Sequence, residues 1–173
     1  MNVVYISISS KLLIFSEIST TTKRKIMGLN WIAIIVAALV PTALGYLWYG
    51  PIMGKQWMAT TGKTEEWYRE QGNMPMIMGV SFVLSIVLAF AIKIFILTTH
   101  GDHIEGCDVE GLGSHNTFGH GLLHGAMYSA FWLIPVLVIN GMFERRGPKN
   151  YWIHIVYWVL ACGIMGGIVD AWN

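Results

Sequence analysis

The sequence predicts an all-α membrane protein, a four-transmembrane-helix bundle. Three observations carry that prediction. Of 173 residues, 54% are hydrophobic and only 12% are charged, whereas soluble domains carry about a quarter of their residues as charges. The mean hydropathy is +0.53. Four apolar stretches, at 29–50, 76–99, 119–143 and 151–172, are each long enough to cross a hydrocarbon core of about 30 Å at about 1.5 Å per residue.

Charge and cysteine content exclude some classes. No basic run is interleaved with aromatics, so nucleic acid is not an expected partner. The expected partner is the lipid bilayer, with a second copy of the chain or another membrane protein as a further one. Cys107 and Cys162 form no CxxC. One sits in a loop and the other in a span, so no disulfide is expected between them.

Residues 1–26 are apolar in part, but Lys11 and Glu17 interrupt the run. It is too short and too charged to span. Lys23, Arg24 and Lys25 follow the apolar part, the reverse of a signal peptide. Met27 comes directly after. The segment 1–26 reads as an upstream extension outside the fold, and 27–173 as a single transmembrane domain. An amphipathic interfacial helix is the other reading of 1–26.

Span one carries aromatics at both ends, Trp31 and then Tyr46, Trp48 and Tyr49, as an interfacial belt does. Pro41 should kink it, and Gly50-Pro51 should end it. In the polar loop that follows, Thr64 precedes Glu65 and Glu66, a helix-start signal that predicts a short interfacial helix around 57–71. Span two has Ser81, Ser85 and Ala89 at four-residue spacing, with Lys93 continuing the stripe. Such a stripe lets another helix approach closely. The loop 98–118 is acidic, without Lys or Arg. Its His100, Asp102, His103, Glu105, Cys107 and His115 fit no zinc or calcium spacing. Span three holds Pro135 in mid-span, and the basic turn 144–149 (ERRGPK) leads into span four. Lys and Arg concentrate on cytoplasmic loops. The 144–149 turn is therefore expected inside, with the acidic loop and both termini outside.

The polar residues within spans are the candidate site. His120 and His124 are four apart and share a helical face. With Lys93 and Asp170 they fall in one leaflet, whereas His154 lies roughly 24 Å of helix away from Asp170. Ionisable groups in a span normally pair or face a wet cavity. The four residues could form an outer-leaflet pocket for protons or a small anion. The pair His120/His124 could also open a metal site completed by a carboxylate. The plainer reading has Lys93 snorkelling to headgroups, Asp170 solvated and the histidines bonded to backbone. A haem would need two histidines at matching depth, which His124 and His154 are not. Gly121, Gly125 and Ser129 form a small-residue stripe on span three. Gly163 and Gly167 form GxxxG on span four, with Cys162 and Gly166 parallel to it. These are helix-packing signals.

Asn30-Trp31 opens span one, Trp48-Tyr-Gly-Pro51 closes it, and Gly54-Lys-x-Trp57 follows. Phe143-Glu144-Arg145 begins the basic turn, and the last span ends in Gly166-Gly167 and Trp172. In these motifs the chain resembles the uncharacterised four-helix integral membrane family DUF1761, a domain of unknown function. The resemblance covers about 29–172. The family brings no activity to transfer, and the N-terminal extension and the acidic loop depart from its pattern.

The expected function is non-enzymatic: packing with a partner, or handling of a small solute or protons, by a multi-pass cell-membrane protein. No cofactor is predicted. The alternative, a metal-dependent membrane enzyme, would use His120 and His124.

Overall fold

The computed structural model describes residues 29–71, 73–99 and 117–172. The extension 1–26 and the histidine-bearing part of the acidic loop lie outside the described residues. Among the described residues four helices are long and apolar enough to cross a membrane. They are α1 (Trp31–Ile52), α4 (Met74–Thr99), α5 (Phe118–Phe143) and α6 (Pro148–Ala171). Two short helices, α2 (Gly54–Thr61) and α3 (Glu65–Gln71), follow α1. The protein is thus an all-α, multi-pass integral membrane bundle.

Proline marks each of the four spans, with Pro75 in the first turn of α4. In α1 the ladder breaks at Leu39, between Trp31–Ala38 and Val40–Leu47, just before Pro41. Proline offers no N–H to the turn before it. At Pro51 the helix does not stop as expected. Trp48–Ile52 widens into a π turn, closed by Met53 N–H on Trp48 O at 2.7 Å, which carries the helix past the missing donor. In α5 a second π turn, Ser129–Leu133, precedes Pro135. Pro148 sits in the first turn of α6 behind an extended Gly147. There the lost N–H would be unsatisfied anyway. Span four therefore starts at 148, three residues before the apolar pattern suggests.

The loop after α1 folds into two helices rather than one. Gly62 takes a left-handed φ of 65° and ends α2. Thr64 Oγ1 accepts from Trp67 N–H at 3.3 Å to start α3, and Lys63 Nζ lies 3.2 Å above the Trp67 ring.

α6 is the centre of the bundle. Half of its apolar window is buried, against 17% for α5. One core joins Ile34 and Ala37 of α1, Ala89, Ile92 and Ile96 of α4, and Cys162, Met165 and Val169 of α6. A second, aromatic core gathers Trp48 with Ile153, Tyr157 and Ala161, flanked by Tyr49 and Trp57. Trp48 Nε1 donates to Ile153 O at 3.1 Å. Tyr157 Oη donates to Pro41 O at 2.7 Å, bonding α6 to the break in α1. Val83, Leu84, Val87, Phe131, Trp132 and Val136 are exposed. Such a surface suits a hydrocarbon solvent, in which apolar side chains gain nothing by hiding.

The closest helix pair is α5 on α6, built from glycine. A Cβ on Gly125 would fall on the Cys162 carbonyl, and one on Gly121 would meet the Gly166 carbonyl and Asp170 Cβ. The α6 stripe that faces Gly121 and Gly125 is thus Cys162–Gly166. Gly163 and Gly167 sit beside it: a Cβ on Gly163 would rest 3.4 Å from Leu122 O, and one on Gly167 would meet the Phe118 ring. Ser129 is fully buried one turn further along α5.

Candidate functional site

The close approach of α5 and α6 brings polar groups together at one end of the bundle. Thr117 is extended and its Oγ1 accepts from His120 N–H at 3.2 Å, which fixes the first turn of α5. That cap sets His120 on the α6 side. Its Nδ1 lies 2.6 Å from Asp170 Oδ2. The His120 side chain is 19% exposed and that of Asp170 only 3%. The imidazole therefore stands between the buried carboxylate and the surface. His124, one turn deeper and buried, packs ring against ring on His120 with centroids 4.5 Å apart. Phe95 of α4 covers it, with centroids 6.2 Å apart.

Lys93 completes this end from α4. It is 2% exposed, so it does not snorkel. Among the described residues its Nζ has no hydrogen-bond partner. Asp170 acts on it electrostatically, but the direct partner of Asp170 is His120. An ammonium has three donors and no acceptor of its own. Buried here, it leaves an open hydrogen-bonding position beside the pair. Among the described residues no group of three or more His, Cys, Asp or Glu side chains is arranged to hold a metal ion. One ring nitrogen of His120 is already engaged by Asp170.

The opposite end of the bundle carries a polar contact that sequence reasoning did not pair, and a buried Asn150 that it passed over. Tyr49 Oη and His154 Nδ1 are 2.6 Å apart. Tyr49 also packs on Trp57 and Tyr157, with centroids 5.4 and 5.0 Å apart. Asn150, fully buried, donates from Nδ2 to Thr60 Oγ1 at 2.8 Å. Depth correctly separates His154 from Asp170, but it also matches His154 to Tyr49, which composition alone assigns to an interfacial belt. The usable signal was that Tyr49 and His154 fall at one depth in helices running opposite ways.

No curated protein and no solved structure matches the chain. The family described as "Protein of unknown function (DUF1761)" matches residues 32–169. That stretch holds all four spans almost entire and all of Lys93, His120 and His124, and it stops one residue short of Asp170. The sequence motifs, the four-helix bundle and this match agree, and the chain belongs to the DUF1761 family.

Proposed function

We propose that the protein handles protons, with the Lys93–His120–His124–Asp170 cluster as its working centre. One observation carries this reading. A buried carboxylate is hydrogen-bonded at 2.6 Å to an imidazole that itself reaches the surface. Histidine changes charge near neutral pH, and carboxylate–histidine chains inside spans are the usual proton relays of membrane proteins. His120 exchanges protons with the aqueous face, Asp170 accepts the hydrogen bond of its ring and orients it, and His124 extends the chain one turn inward. The middle of the bundle is an apolar core around Ala89, Cys162 and Met165. Transfer beyond His124 therefore requires water between the helices.

The test is proton flux into proteoliposomes carrying a trapped pH-sensitive dye. The intact protein is expected to collapse an imposed pH gradient at least about tenfold faster than Asp170→Asn or His120→Gln, since a relay missing one member loses the step that member carries. Flux no greater than in protein-free vesicles would end the reading.

In this reading the cluster lies at the outer face of the cell membrane and turn 144–149 in the cytoplasm. The support is the Lys/Arg distribution, with Arg145, Arg146 and Lys149 on that turn. A cysteine at Gly147 is expected to react with an impermeant thiol reagent only from the inside of oriented cells. Labelling from outside would reverse the assignment.

A further inference from the structure

At the turn that joins α5 to α6, a cavity of about 200 Å³ opens between the two helices. Asn150 and His154 belong to its lining, but Asn150 is fully buried and so is His154 Nε2. Neither offers a polar atom to a ligand. What the cavity presents is its rim and its wall. Glu144 and Arg146 stand at the rim, their side chains 53% and 42% exposed. Arg146 Nε donates to Glu144 Oε2 at 2.5 Å. Between them Arg145 takes a left-handed φ of 54°, which turns the chain back so that its neighbours meet. Tyr151 Oη donates to Arg146 O and ties this rim to α6.

The lining is ordered by depth. The turn joins two spans, so it stands at the membrane surface and α5 leads inward from it as the numbers fall. Asn140, exposed, lies four residues before Glu144 on the same face, about 6 Å of helix deeper. Val138 and Leu137, half-buried, are about 9–10 Å deeper than Glu144. Ile155 supplies the apolar wall from α6. A charged rim, an amide one turn down and an apolar wall below it follow the order of headgroup, ester and acyl chain in a phospholipid. A water-soluble solute matches the rim alone.

The rim charges choose among headgroups. A guanidinium has five N–H donors. With Nε on Glu144, the two terminal nitrogens of Arg146 are available to a phosphate, which the arginine fork suits. A carboxylate has two oxygens, so Glu144 keeps Oε1 for a cationic donor. One cation and one anion side by side match a zwitterion. The carboxylate calls for an N–H donor, which a quaternary ammonium lacks. A headgroup without any cation would set its phosphate against Glu144. We propose that this cavity seats a phospholipid of the ethanolamine class. Arg146 holds the phosphate, Glu144 the ammonium and Asn140 the ester region, and one acyl chain lies along Leu137, Val138 and Ile155. The volume corresponds to roughly six or seven waters at about 30 Å³ each, room for a phosphoethanolamine group. The site lies at the opposite end of α6 from the proton cluster and does not depend on it.

The test titrates the full chain in maltoside micelles with dioleoyl phosphatidylethanolamine, phosphatidylcholine or phosphatidylglycerol and measures bound lipid by native mass spectrometry. Phosphatidylethanolamine is expected to bind about tenfold more tightly than the other two, the effect of a charge-assisted hydrogen bond that they cannot make. Free phosphoethanolamine at equal concentration should not displace it, since it lacks the chain. Glu144→Ala should remove the preference over phosphatidylcholine, and Arg146→Gln should weaken all three lipids. Both side chains are exposed, so the fold is kept. Lys149→Gln, on the same turn but outside the cavity, should leave the preference unchanged. Equal binding of the three lipids would make the cavity an ordinary lipid contact. A preference for phosphatidylglycerol would make it an anion site, and displacement by free phosphoethanolamine a site for a soluble headgroup. Each of these results, or a preference that survives Glu144→Ala, overturns the proposal.

Discussion

Gly125→Leu is expected to leave little folded protein, while Leu123→Ala, two residues away on the opposite face of the helix and 58% exposed, changes little. The reason lies in what a side chain at 125 would meet. A Cβ there falls on the Cys162 carbonyl and lies 3.1 Å from Gly163 Cα. Both obstacles are backbone, so no rotamer change relieves them. Overpacking in a well-filled core costs about 1–3 kcal/mol when side chains can yield. At Gly125 even alanine should cost the upper end of that range, and leucine more. Exposed substitutions away from such contacts stay within about 0.5 kcal/mol. Thermal unfolding in detergent checks the pair. If Gly125→Leu melts with the parent, α5 and α6 do not meet at this face.

Asp170→Asn and Lys93→Met are expected to move stability in opposite directions. Asp170 is 2% exposed and bonded to His120. Removing its charge should cost about 1–2 kcal/mol. That range reflects two tendencies. Hydrogen bonds to charged groups contribute about 1.5–3 kcal/mol, whereas side-chain bonds between membrane helices average only about 0.6. A double-mutant cycle with His120→Gln should recover most of the loss as a coupling term. Lys93→Met removes a buried ammonium with no hydrogen-bond partner among the described residues. The desolvation cost of that ammonium is then removed, and His120 remains as the hydrogen-bonded partner of Asp170, so stability should rise. Proton flux should nevertheless fall, because the charge beside the pair is gone. A Lys93→Met protein that is both less stable and fully active would show that the lysine serves the fold alone.

The architecture was readable because length and composition are what a bilayer selects. Apolar stretches between polar loops locate spans whether or not the packing is known. The ends moved for local reasons. Pro51 was absorbed by a π turn, and Pro148 serves as a first-turn residue. Which span sits at the centre was less legible. The histidine-bearing span three looks like the organiser, yet α6 holds the buried surface. In lipid the hydrophobic pattern does not mark the buried face, whereas small residues do. Ala161, Cys162, Gly163, Gly166 and Gly167 carried that signal. Which of two parallel stripes faces α5 was beyond sequence, because Cys162–Gly166 and Gly163–Gly167 differ by one residue of rotation. At the candidate site, shared depth could place Lys93, His120, His124 and Asp170 in one leaflet. It could not choose His120 over Lys93 as the partner of Asp170, since that depends on helix rotation. The Tyr49–His154 contact was missed because an aromatic near a span end reads equally well as a lipid anchor.

The central claim is that the two histidine-bearing turns of α5 lie against the end of α6 so that His120 meets Asp170. Dipolar recoupling in bilayers, between ¹⁵Nδ1 of His120 and ¹³Cγ of Asp170 in the full chain, reads that contact directly. A hydrogen-bonded pair places the two nuclei within about 4 Å, so strong dephasing in the intact protein is the predicted result. Absence of dephasing in the intact protein would contradict the account, because the carboxylate would then face lipid, water or another residue and the relay would have no first step.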